Sequence, residues 1–118
     1  MSVQLCIVGA VFLLMGLMAF ARPRTFLTPY VGITAETADG RNEIQAVYGG
    51  FSVAMAVVLC LPFWIPEAKT GVTIAVAGAL AGMASGRVIG ALREKPGRWP
   101  LIFFVVEAGG AAFLLSAL

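Results

Sequence analysis

The sequence predicts an all-α protein, an integral membrane four-helix bundle forming a single domain over residues 1–118, and three observations predict it. Of its 118 residues, 60% are hydrophobic and only 12% are charged, and the mean hydropathy is +0.96. A soluble domain of this size could not bury so much apolar surface, so lipid must be the solvent. Four apolar runs of about 18 to 25 residues can be marked, and about 20 residues are needed to cross the hydrocarbon core. They fall at about 3–21, 41–61, 68–92 and 100–117. Little chain lies outside them, which leaves no room for a soluble module.

The first run, Val3–Ala21, ends in Ala19-Phe20-Ala21 like a signal peptide. A signal peptide carries positive charge before its apolar stretch, whereas Arg22 and Arg24 follow this one, so the helix is expected to be retained. Gly9 and Gly16 share a face with Phe12, Leu13 and Phe20, the pattern of a packing stripe. Cys6 and Cys60 lie at similar depth; a disulfide is conceivable, but two small buried hydrophobes is the better reading. Histidine is absent, which removes the commonest metal and haem ligand. No metal site and no cofactor are expected.

Residues 22–40 form a long connector in which Pro23 and Pro29 should break any helix. Phe26, Leu27, Tyr30 and Ile33 are placed to anchor it among lipid headgroups. A loop this long reads as a functional segment, as a lid over the bundle mouth, or as a plain interfacial connector. Asp39 or Asn42 is expected to cap the second span. That span opens with Arg41, Asn42, Glu43 and Gln45, and Glu43 suits the positive end of the helix dipole. Tyr48-Gly49-Gly50 follows as a place for close backbone approach, and the span ends near Pro62, with Trp64 at the interface.

The third span holds a glycine zipper, Gly78, Gly82, Gly86 and Gly90, with Arg87 inside the same apolar run. Positions four apart drift by about 40° per step, so the ridge is a slanted groove roughly 18 Å long. Each glycine costs up to ~1 kcal/mol against alanine, so four at one spacing point to packing against another helix, in this chain or in a second copy. A tight basic turn around Pro96-Gly97 leads through Trp99 to the fourth span, which carries Glu107 and then Gly109-Gly110.

Lysine and arginine divide unevenly between the two sides. Arg22, Arg24, Arg41, Arg93, Lys95 and Arg98 fall on one, and Lys69 alone on the other. The positive-inside rule then puts both termini outside the cytoplasm. The +2 net charge follows from this asymmetry and gives no sign of nucleic acid as a partner. The same threading places Arg87 roughly 9 Å and Glu107 roughly 12 Å from the cytoplasmic ends of their helices. An intramembrane Arg87–Glu107 ion pair is therefore expected, with Glu43 and Tyr48 as further members of a polar cluster. A lone charge at mid-helix costs about 2.5–3.5 kcal/mol on insertion scales. Such a pair either pins helix register or serves a ligand.

The run Glu43-Ile44-Gln45-Ala46-Val47-Tyr48-Gly49-Gly50 resembles the glutamate-led start of the second helix in small bacterial membrane proteins grouped as domain of unknown function 4345. Ser85-Gly86-Arg87-Val88-Ile89-Gly90, the Pro96-Gly97 turn and Glu107 extend the resemblance over nearly the whole chain. Gln45 stands where that pattern has a basic residue. The resemblance implies a multi-pass, four-helix protein of the bacterial inner (cytoplasmic) membrane and brings no activity with it.

Three functions are weighed. The leading one is a non-enzymatic module in the lipid bilayer that binds a lipid-like ligand or a partner membrane protein through Glu43, Tyr48, Arg87 and Glu107. The ridges at Gly49, Gly50, Gly78, Gly82, Gly86, Gly90, Gly109 and Gly110 would serve helix packing, within one chain or in a homo-oligomer. The second is a small proton-coupled exporter, disfavoured because the first helix has no charge and Glu107 has a cationic partner. The third is a membrane enzyme acting on a quinone, sterol or lipid, with Glu43 nearest water as its acid or base. No catalytic motif supports it.

Overall fold

The computed structural model describes residues 2–118. Among these residues all regular structure is helical: α1 (Val3–Ala21), α2 (Thr28–Val31), α3 (Ala38–Ile44), α4 (Phe51–Cys60), α5 (Lys69–Arg93) and α6 (Arg98–Leu115). A π-helical segment, Gln45–Gly50, joins α3 to α4, and two 3₁₀ turns, Leu61–Phe63 and Pro66–Ala68, lead into α5. Four helical stretches are long and apolar enough to cross a membrane: Val3–Ala21, Ala38–Phe63, Pro66–Arg93 and Arg98–Leu115. This is the pattern of a multi-pass membrane protein.

The second span starts earlier than its apolar run. Thr37 adopts extended backbone and its hydroxyl accepts from the Gly40 amide at 3.0 Å, so the cap is Thr37 and neither Asp39 nor Asn42. Threonine outcompetes them because it precedes a turn whose free amides point back at its side chain. At Gln45–Gly50 the helix widens by one residue per turn. The Phe51 amide there reaches back five residues to the Ala46 carbonyl. Widening of this kind is rare and falls on the Tyr48-Gly49-Gly50 run.

The chain divides into two compact units, Cys6–Cys60 and a second joining Met1–Leu5 to Leu61–Leu118. In the first, α1 lies close against the second span. A Cβ placed on Gly16 would fall 2.7 Å from Val53 Cγ2 and 2.9 Å from the Gly49 carbonyl oxygen, and one on Gly49 would fall 2.8 Å from the Phe20 ring. Only glycine permits that approach. Gly9, Phe12 and Gly16 are buried along one face as expected of a stripe, but Leu13, assigned to it, is exposed. Cys6 is likewise exposed rather than buried, and both thiols are free.

The connector folds back on this unit. Pro29 does not break helix there; it sits in the first turn of α2, where its missing amide costs nothing, and Gly32 at φ 73° ends that turn. Phe26 and Leu27 pack with Tyr48 against buried Ala19, Ala35 and Ile44, so these two face protein rather than headgroups, while Ile33 is exposed. The Ala35 amide bonds to the Arg24 carbonyl at 2.9 Å, and Arg24 pairs with Glu36 at 3.2 Å.

In the second unit, α5 and α6 pack along one another. Thr73, Val76, Ala77, Leu80 and Ala84 form the buried stripe of α5, at the three- and four-residue spacing of one helix face. From α6 come Glu107, Ala111 and Leu114, and a Cβ on Gly110 would meet Leu80 Cδ1 at 3.4 Å.

Candidate polar site on α5 and α6

The face of α5 that carries Leu80 and Ala84 reaches Arg87 one turn later. On α6, Phe103 and Glu107 are four residues apart and share a face. These two faces meet, and Arg87 lies between the aromatic ring and the carboxylate. Its Nε donates to Glu107 Oε1 at 2.6 Å and its Nη2 donates to Oε2 at 2.8 Å. The guanidinium carbon stands 5.3 Å from the Phe103 ring centroid. Two parallel charge-assisted bonds match the planar fork of arginine to the carboxylate and fix both rotamers.

The two partners are buried unequally: side-chain exposure is 8% for Glu107 and 29% for Arg87. The carboxylate is therefore held inside the helix pair, and the guanidinium looks outward. It looks onto a cleft of about 510 Å³ lined by Met83, Gly86, Arg87, Gly90, Lys95 and Pro100. Glu94 also borders this cleft, so its charge offsets that of Lys95 in number, while Arg87 is paired with Glu107. Such a site can hold a polar group by hydrogen bonds without selecting strongly for net charge.

The glycines fall into three groups. Gly49 is at a tight crossing and Gly110 touches Leu80, whereas Gly50 meets only the Gln45 carbonyl of its own widened helix, at 3.7 Å. Gly78, Gly82, Gly86, Gly90 and Gly109 have nothing within 4 Å of a Cβ placed on them. Within its own unit the ridge of α5 is therefore turned away from the buried stripe. Its spacing defines a face, and the face turned toward α6 is the one carrying larger side chains.

Glu43 and Tyr48 belong to the Cys6–Cys60 unit. Glu43 is exposed. Tyr48 is half-buried in the apolar cluster, its ring 5.6 Å from that of Phe26. Phe103 was not foreseen. The available signal was its place one turn before Glu107, where any side chain shares the carboxylate's face.

A family model described as domain of unknown function (DUF4345) matches residues 1–118. No curated protein and no solved structure matches the chain.

Proposed function

This chain belongs to the family described as domain of unknown function (DUF4345), and from that premise we propose that it is a non-enzymatic membrane module holding one lipid-like molecule in the cleft beside Arg87. The observation that carries this reading is the outward-facing, half-buried guanidinium of an otherwise buried pair, at the wall of a cleft that Gly86 and Gly90 of the same helix also line. A structural clamp alone gains nothing from leaving one partner open. Gly86 and Gly90 keep the cleft accessible, since any larger side chain there would project into it.

Charge balance defines the ligand class. With Arg87 engaged by Glu107 and Lys95 beside Glu94, the cleft suits an uncharged or zwitterionic polar head, with the apolar tail running along the exposed face of α5. Arg87 lies six residues before the end of α5, roughly 9 Å along the helix axis. The excess of Lys and Arg on that side supports placing the cleft in the cytoplasmic half of the inner membrane, with both termini outside. Both oxygens of Glu107 accept from Arg87, the arrangement of a clamp rather than of a proton carrier, and the exporter reading is set aside for that reason.

The test is purification in mild detergent followed by mass spectrometry of what remains bound. One discrete amphiphile is expected with the wild type and none with Gly90→Leu, a change that fills the cleft while leaving the ion pair and the thermal stability intact. Bound lipid that merely mirrors the bulk membrane, or full retention by Gly90→Leu, would refute the proposal.

A further inference from the structure

A second cavity, of about 620 Å³, lies wholly within the Cys6–Cys60 unit, where the chain leaves α1 and turns into the connector. Its volume is in the range of about 300–1,000 Å³ common to ligand sites. Met18, Ala21, Phe26 and Pro29 give it apolar walls, and Arg22 and Thr25 stand among them. The neighbouring polar groups are already satisfied. Arg24 is paired with Glu36 at 3.2 Å, and the Thr28 hydroxyl, also at the cavity, is bonded to the Ile33 carbonyl and to Thr34. Arg22 and Thr25 have no side-chain hydrogen bond or ion pair among the described residues.

The position is specific too. Arg22 is the first residue after the 19-residue, largely apolar α1. When α1 spans the bilayer, that depth is where lipid phosphates lie. A guanidinium and a hydroxyl are both donors, and a phosphodiester offers only acceptors and a negative charge. Unlike the cleft beside Arg87, this cavity has no carboxylate on its wall to cancel its cation.

We infer that this cavity is a second, independent binding site that takes the headgroup of an anionic glycerophospholipid. Arg22 and Thr25 donate to the phosphate, and Met18 and Phe26 pack against the upper part of an acyl chain. The inference does not rest on the function proposed for the Arg87 cleft. The two sites share no residue, and their charge balance selects different heads.

The test is native mass spectrometry of the full chain in detergent, titrated separately with phosphatidylglycerol, phosphatidylcholine and glycerol phosphate. Phosphatidylglycerol should bind at least about fivefold more tightly than phosphatidylcholine, the factor set by one cation near the headgroup. Arg22→Gln should abolish that preference, and Ala21→Leu should do the same by filling the cavity while every charge remains. Arg24→Gln, which changes net charge equally, and Gly90→Leu, which fills the other cleft, should leave it intact. An equal loss with Arg24→Gln would reduce the effect to general surface charge and overturn the site. So would retention of the preference by both Arg22→Gln and Ala21→Leu, or its loss with Gly90→Leu. Glycerol phosphate binding as tightly as the lipid would overturn the assignment to a lipid.

Discussion

Replacing Glu107 by leucine removes the bidentate partner of Arg87, and its cost can be worked from the geometry. Two bonds, at 2.6 and 2.8 Å, are lost together. Breaking a buried pair by removing one partner costs about 3–5 kcal/mol, because the other charge stays buried. Arg87 retains 29% of its side-chain exposure, so solvent and its contact with Phe103 relieve part of this. A loss of about 2–4 kcal/mol is expected for Glu107→Leu. Insertion scales give about 2.5–3.5 kcal/mol for a lone arginine at mid-helix, an independent route to the same size. Glu107→Gln keeps one acceptor and should lose about half as much.

The double variant Arg87→Met with Glu107→Leu decides the cause. Removing both charges leaves no orphan, and apolar replacements of buried pairs are often neutral or stabilising. The double variant should therefore recover most of the stability that Glu107→Leu loses. The assay is unfolding of the purified protein by increasing denaturing detergent, followed by helical circular dichroism. Val106→Ala, at a side chain 56% exposed, serves as the lipid-facing control. A Glu107→Leu loss no larger than that control, or a double variant as unstable as the two single losses added, would refute the reasoning.

Three further outcomes follow from packing. Gly16→Ala should destabilise by about 1–2 kcal/mol despite the better helix propensity of alanine, because its Cβ meets backbone atoms of the second span; Gly82→Ala, with open space at its Cβ, should be neutral or slightly stabilising in the same unfolding assay. Thr73→Val should stabilise by up to about 1 kcal/mol, since its fully buried hydroxyl has no partner among the described residues, and a measured loss would reveal one.

How much of this was legible in the sequence depends on the kind of signal. Spans could be read because length and apolarity are sums over many residues, and no single side chain decides them. Arg87 and Glu107 could be placed at matching depth because helical rise is constant, and the structure joins them. The widened helix at Gln45–Gly50 gave no such signal, since its residues are compatible with α-helix and the extra residue is fixed by tertiary fit. Phe26 and Leu27 were misplaced because an aromatic beside a membrane end satisfies lipid and protein equally well. Thr37 was passed over for acidic and amide caps nearby, although all three side chains can cap. The two cavities were invisible, because each depends on how a short connection folds back over a helix end.

The direction of the glycine ridge is the most informative of these cases. Sequence spacing identifies Gly78, Gly82, Gly86 and Gly90 as one drifting face, but α5 is apolar on every side, and so nothing local says which face is turned to α6. The structure turns the larger side chains Val76 and Leu80 inward and leaves the ridge open. Four glycines in a helix interior carry a cost in propensity, and among the described residues nothing lies within 4 Å of a Cβ placed on any of them. Gly86 and Gly90 have a use, because they border the cleft against which Arg87 lies. Gly78 and Gly82 do not border it. The ridge is therefore two features at one spacing: Gly86 and Gly90 line the cleft toward the Arg93 end of α5, and Gly78 and Gly82 lie outside it toward the middle of the helix.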